Sequence, residues 1–271
     1  MGARLVAAAG RANSKRSSET SDHAVLLKLL NSLELVCDGG RVKLPQSAQR
    51  LLAFVALKRR PVQRLHASGS LWPSVSERRA GASLRSALWR LGHCGRGIVE
   101  ADGNQLRLAA FVRVDLYEAE AVARHLLERR DGNGLTLDLS ELRGDLLPDW
   151  YDDWVLMERE YFRQLRLRAL EVACDRLTEA GKLDEALSAG LAALECEPLR
   201  ESAHRALVRV HLAQGNVSEA VRQYCLCRDL LLEQVGVAPS HQMTELVREV
   251  TARRQFGDAL LPTMPGKGRA A

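Results

Sequence analysis

The 271-residue sequence predicts a mostly α chain with small β-sheets, built as two parts in series. Three observations carry this. Residues 25–44 and 98–108 read as short strands around Gly-containing turns, with helical patterns between them. Beyond residue 114 helical spacing dominates, and it contains an internal repeat at a shift of 34 residues. Charge divides along the same line. Residues 1–113 carry 19 Lys+Arg against 7 Asp+Glu, a net of +12, and residues 114–271 carry 20 against 27, a net of −7. A basic front half points to a polyanion as its partner.

Residues 1–22 read as a disordered basic lead-in without the apolar run of a secretory signal. Val25 to Leu29, Leu33 to Val36 and Val42 to Leu44 follow as strands, and Asp38-Gly39-Gly40 is a hairpin signal. "QSAQRLLAFVALKRRP" is helical, with Leu51, Leu52, Val55 and Ala56 inside and Pro61 as the stop. "VQRLHASGSLW" is a weaker helix because it contains Gly69. Pro73 breaks the chain, and Ser74 or Ser76 is expected to cap the third helix, residues 77–92. There Leu84, Leu88 and Leu91 form one apolar stripe, and Arg79, Ser83, Ser86 and Arg90 point the other way. A second hairpin runs from Ile98 to Leu108 around Asp102-Gly103-Asn104. Strands, three helices and a hairpin is the order of a winged helix-turn-helix, which assigns residues 23–113 to DNA binding.

The back half is expected to be an all-α, tetratricopeptide-like domain over 114–256, with a flexible tail over 257–271. A long helix covers 153–180. Residues 168–187 align with 202–221, so that Ala169 matches Ala203, Gly181 matches Gly215, Glu185 matches Glu219 and Ala186 matches Ala220. Thirty-four residues is the tetratricopeptide period, each unit being two helices with Gly at the turn. Two units cannot close a solenoid alone, so helices before and after them must cap the stack.

The third helix is either a solvated face or a DNA-reading one. In the second case Arg79, Ser83, Ser86 and Arg90 enter the major groove, where Arg suits guanine O6/N7, and Arg78 and Arg85 flank them near phosphates. Trp89 is expected to pack on the wing or on the second domain rather than on a base. Asn104 and Arg107 are wing candidates, with an ordinary turn as the equal alternative. Lys58, Arg59 and Arg60 suit a helix C-terminus. Arg205, Arg209, Tyr224 and Arg228 are candidates for a partner-binding groove, which equally serves to dock the winged helix or a second protomer.

Enzyme chemistry finds no support. "DWYDDW" (149–154) supplies carboxylates without a nucleophile or metal partner, so Asp152 or Asp153 is read as a helix cap and Trp150, Tyr151 and Trp154 as junction packing. His204 and His211 are seven apart, too far for one metal, and read as satisfied or surface histidines. The six cysteines show no Cys-x-x-Cys pair, and the sequence has no Walker loop or His-Glu-x-x-His. No catalytic residue, metal or cofactor is expected, and no run suits a membrane span.

Three stretches carry a family likeness: "LWPSVSERRAGASLRSALWRL", "LRGDLLPDWYDDWVLMERE" and "LECEPLRESAHRALVRVHLAQGNVSEAVRQYCLCRDLLLEQVGVAP". The last is the most specific, with Glu-Pro-Leu-x-Glu, Gly and Ala at the repeat turn, Tyr224, and Gly236-Val237-x-Pro239. Over about residues 25–250 the chain resembles the SARP/AfsR-type bacterial transcriptional activators, which join an OmpR-like winged helix to a bacterial transcriptional activator domain. The resemblance implies an activator that binds promoter DNA with its third helix in the major groove and recruits RNA polymerase. A homodimer and a cytoplasmic, nucleoid-associated location fit that role. Trp89, Gly92 and Gly69 depart from the family pattern. They leave open the alternative of a protein-interaction adaptor whose winged helix no longer reads DNA.

Overall fold

The computed structural model describes residues 25–93, 97–128 and 139–248. The lead-in over 1–22 and the tail over 257–271 lie outside the described residues. The fold is mostly α with small sheets. It divides into two compact units: Met1–Tyr117 with Leu146–Leu156, and Glu118–Asp145 with Met157–Ala271.

In the first unit, among the described residues, β1 (Val25–Lys28), β2 (Glu34–Cys37), β3 (Gly40–Val42) and β7 (Val112–Val114) form a sheet of order β3-β2-β1-β7. Val25, Leu27 and Leu29 are buried and alternate with less buried neighbours, the period of a half-buried strand. The β2–β3 turn is the one the sequence signals. Asp38 and Gly39 both take positive φ (50° and 76°), the twist that a two-residue hairpin requires. The parallel pairing of β1 with β7 was not anticipated. The Leu29 and Leu30 N–H groups donate to the Asp115 carboxylate at 2.8 and 3.2 Å, which ties the end of β1 to the residue after β7.

Helix α1 (Gln46–Lys58) is more deeply buried than a one-sided stripe, with Leu51 through Leu57 all inside. It does not wait for Pro61 to stop. Arg59 adopts a left-handed cap (φ 53°) and donates its N–H to the Ala56 carbonyl. The Arg59 guanidinium lies 4.4 Å from the Tyr117 ring, whose hydroxyl donates to the same Ala56 carbonyl at 2.5 Å. The chain then makes β4 (Val62–Gln63), α2 (Arg64–Leu71), α3 (Glu77–Gly92), β5 (Val99–Asp102) and β6 (Gln105–Leu108). The wing is a sheet of order β4-β6-β5, so the residues leading into α2 are themselves wing strand.

The first unit also recruits residues 146–156, which the sequence reading places in the back domain. The Leu147 N–H donates to Leu29 O at 3.0 Å, and Arg50 pairs with Asp152 at 2.5 Å. Trp154 meets Phe54 edge-on at 5.2 Å, and Trp150 meets Trp154 at 6.2 Å. Tyr151 is 80% exposed, so the expected packing role falls to the two tryptophans alone. Asp152 starts its helix through its backbone carbonyl, while its carboxylate goes to Arg50.

The second unit holds most of α4 (Asp115–Glu128) and α5 (Asp153–Glu179), then α6 (Leu183–Cys196), α7 (Glu201–Ala213), α8 (Val217–Gln234) and helical residues 241–248. The 34-residue alignment holds in three dimensions. Gly181 and Gly215 take φ of 75° and 73° at the equivalent turns, and Ala169, Ala203, Ala186 and Ala220 are all buried. Ala123 and Leu126 of α4 pack into the first repeat's core, and Met243 packs with Val208, Cys227 and Leu231 of the second. These are the caps that a two-repeat stack needs. Among the described residues, no helix is long and apolar enough to cross a membrane.

Candidate nucleic-acid interface

Helix α3 buries Ala80, Leu84, Ala87 and Leu91, one stripe at i, i+4, i+7 and i+11, against α1 and α2. Leu88, expected in the stripe, is only half-buried, and two alanines complete it instead. Ser76 stands at the N-cap position without a side-chain cap hydrogen bond. Glu77 in the first turn suits the positive end of the helix.

The remaining surface is sorted by the 3.6-residue period into two sides. Arg79, Ser86 and Arg90 share one side and are exposed, with Ser83 half-buried at its edge. Arg78 and Arg85, seven residues apart, share the other side and are also exposed. Among the described residues, Arg78, Arg79 and Arg85 have no carboxylate partner. Trp89 lies between the two sides. It is 64% exposed rather than packed on the wing, and its ring sits 3.9 Å from that of His93.

On the wing, Gly103 (φ 54°) and Asn104 form the turn between β5 and β6. Asn104 is exposed and its carbonyl accepts the Arg64 N–H at 2.8 Å. Arg107 faces Glu100 across the hairpin and pairs with it at 2.6 Å. Arg107 is therefore an occupied guanidinium, although such an exposed pair is weak, worth about 0–1 kcal/mol. Lys58 stands in the last turn of α1 and Arg59 caps it, the helix-end placement expected of them, and they lie over Phe54 and Tyr117.

The sequence reading missed Arg64. It opens α2 and lines a surface cleft of about 340 Å³ between α2 and α3, together with Arg78 and Arg85. Its Nε is buried and has no hydrogen-bond partner among the described residues. No periodicity announces such a residue, because the cleft depends on how two helices pack.

The groove candidates of the repeats have partners within their own unit. Arg205 pairs with Glu201 at 3.3 Å, Arg209 with Asp175 at 3.1 Å and Arg228 with Asp229 at 2.8 Å. Tyr224 is half-buried against the core around Met243. The Glu-Pro-Leu-x-Glu stretch acts as wiring between helices. Glu197 accepts from Arg163 at 2.5 Å, Arg200 donates to Glu171 at 3.0 Å, and Glu201 accepts the Ser240 N–H at 2.7 Å. Arg163 and Gln164 also donate to Glu160 and hold its carboxyl down at about 2.

His204 is a satisfied core histidine, as read. Its Nε2 donates to Pro198 O at 2.9 Å and its Nδ1 accepts from the Gln223 amide at 2.7 Å. Burial lowers its pKa from the usual 6.5. Cys174 and Cys227 are buried thiols, pushed up to about 12 and about 11 by desolvation.

Residues 109–251, more than half of the chain, match the bacterial transcriptional activator domain. The chain is 26% identical over 218 residues to the regulatory protein AfsR of Streptomyces coelicolor, an alignment covering 76% of this chain and 22% of AfsR. Among solved structures it is similar to EmbR of Mycobacterium tuberculosis, determined in complex with a low affinity phosphopeptide. The TM-score is 0.64 at 21% identity, and 84% of this chain and 65% of the EmbR chain are covered. The chain thus spans about a fifth of AfsR and just under two thirds of the EmbR chain, and the second likeness bears on the fold alone. With a winged helix-turn-helix order in front and paired helical repeats behind, the chain belongs to the family of the bacterial transcriptional activator domain.

Proposed function

We propose that this chain activates transcription by binding promoter DNA through the winged helix of residues 23–113. In this reading the helical domain over 114–256 contacts RNA polymerase or a second copy of the chain. The observation that carries the DNA part is the state of the arginines. Three of the arginines on the outer face of α3, Arg78, Arg79 and Arg85, have no carboxylate partner among the described residues, whereas Arg205, Arg209 and Arg228 of the repeats each hold one. An exposed guanidinium without a counter-ion is available to a phosphate or to a guanine edge at no cost in broken ion pairs.

The division of labour follows from the two sides of α3. Arg79, Ser86 and Arg90 are assigned to base edges. Ser83 is set back toward the core and contributes less. Of the wing candidates, Asn104 is exposed at the turn and suits a backbone or minor-groove contact, and Arg107 joins only by leaving Glu100. A protein acting this way resides with the nucleoid.

A salt titration by gel shift tests the reading. The purified chain is compared on the DNA upstream of its own gene and on a scrambled duplex. Binding that weakens steeply with salt, at a slope of about −0.9 per phosphate contact, with preference for the real sequence is the expected result. Absence of binding at low salt would overturn it and move the function to a protein-interaction adaptor.

A further inference from the structure

The crest of α3 is apolar, although both of its flanks are basic. Nine residues separate Trp89 from buried Ala80, about two and a half turns, so Trp89 points away from the core. Ala82 stands seven residues before Trp89, within about 20° of the same line, and is also exposed. Arg78 and Arg85 lie on one flank of this line, and Arg79 and Arg90 on the other. The Trp89 indole is held as well as exposed. The His93 imidazole lies against it with ring centroids 3.9 Å apart, and His93 Nδ1 donates to the Trp89 carbonyl at 2.9 Å. A tryptophan that stays 64% exposed forgoes most of the burial its size offers, and a bound partner can supply it.

The charges beside the crest select what covers it. Four arginines against one glutamate, Glu77, leave α3 a net charge of +3, which favours a polyanion over a protein surface. An α-helix about 10–12 Å across fills a major groove about 12 Å wide, so its flanks meet the walls and its crest meets the base edges on the floor. The apolar group on that floor is the thymine 5-methyl, and the other groups that distinguish the base pairs are hydrogen-bond donors and acceptors. We propose that the Trp89 ring covers a thymine methyl in the major groove and so makes this chain select an A·T pair at one position of its site, with His93 as a positioning residue for the indole. Ala82, small and on the same line, lets the helix come close to the groove floor. This rests on the DNA-binding reading above. It adds an apolar discrimination to the hydrogen bonding assigned to Arg79, Ser86 and Arg90.

The test uses the full chain and three variants, Trp89→Ala, Trp89→Phe and His93→Ala, on the upstream duplex and on the same duplex with uracil in place of thymine. Uracil keeps the base pairing and the groove hydrogen bonds and lacks only the methyl. Wild type should bind the thymine duplex about fourfold more tightly for each methyl covered, the worth of burying one such small apolar group. Trp89→Ala should lose that ratio, Trp89→Phe should keep most of it, and His93→Ala should reduce it. Comparing proteins on the same two duplexes cancels any effect of uracil on the DNA itself. The salt slope should be the same in all four proteins, because an apolar contact releases no counter-ion. If wild type and Trp89→Ala show the same ratio, methyl reading by Trp89 fails and the DNA reading stands. If wild type binds neither duplex, both fail. A third outcome also overturns the proposal: Trp89→Ala dissociates a wild-type dimer in analytical ultracentrifugation while the two ratios match. That would give the crest to a second copy of the chain.

Discussion

Gly190 offers the sharpest test of the repeat packing. It lies in α6 where that helix meets α7, and a Cβ placed there would stand 2.5 Å from Leu207 Cδ2, 2.9 Å from Leu207 Cγ and 3.3 Å from Cys174 Sγ. Carbon atoms rest at about 3.5–4.0 Å, so Leu207 must retreat by about 1 Å. Leu207 is fully buried, and its neighbours Ala206, Val208 and Val210 are too. Overpacking of this kind costs about 1–3 kcal/mol. Alanine returns about 1 kcal/mol through its better helix propensity. Because two contacts fall below 3.0 Å, the upper end applies, and Gly190→Ala should lose about 2 kcal/mol net. For a unit of this size that is a drop of about 4–8 °C in melting temperature. Circular dichroism of the helical signal during thermal and urea unfolding measures it. The cause is checked by adding Leu207→Ala, which alone should cost about 2–5 kcal/mol. With room made at 207, the double variant should lose at least about 1 kcal/mol less than the two singles together. A Gly190→Ala protein as stable as wild type, or a strictly additive pair, would refute the close-approach account.

Other outcomes follow from the same structure. If Arg90 reads a base, Arg90→Ala should reduce the preference for the upstream sequence by about 1–3 kcal/mol, measured as the ratio of affinities to real and scrambled duplex; an unchanged ratio removes Arg90 from base reading. Glu100→Gln should release Arg107 on the wing and raise affinity for both duplexes at low salt, whereas an unchanged affinity leaves Arg107 without a DNA role. His204 gives a signed pH effect. Its folded pKa lies below the usual 6.5 because burial penalises the cation. Above 6.5 both states are neutral and stability is flat. Below it the unfolded chain takes up a proton that the folded chain refuses. Stability therefore falls with pH at up to about 1.4 kcal/mol per unit until the folded pKa is reached. Denaturation midpoints between pH 7 and 5 should show this slope, and His204→Gln should flatten it.

Much of the architecture was legible because its signals are local. The Asp38-Gly39 turn, the α3 stripe and the paired glycines 181 and 215 each depend on a few neighbouring residues, and backbone sterics make such positions readable. The candidate site was legible only as a surface. The arginines of α3 were found, but their grouping, and the place of Arg64 beside Arg78 and Arg85, depend on α2 lying beside α3. Trp89 was expected to be covered, and it stands exposed with His93 as its neighbour.

Sequence alone determined the order of the main helices and of the two hairpins, the 34-residue period and the basic front half, because helical and strand periodicity and net charge are written along the chain. Tertiary structure decided which charges are spent and which stay available. Arg107 is neutralised by the residue opposite it on the hairpin, and Arg209 by Asp175 one full repeat earlier. The same period that equates Gly190 with Tyr224 says nothing of their different fates. Gly190 lies under Leu207 of α7, and Tyr224 packs near Met243 of the capping helix. The parallel β1–β7 pair and the return of residues 146–156 to the first unit are decisions of the same kind. Pairing between distant residues is set by where whole elements pack, and no local propensity encodes it.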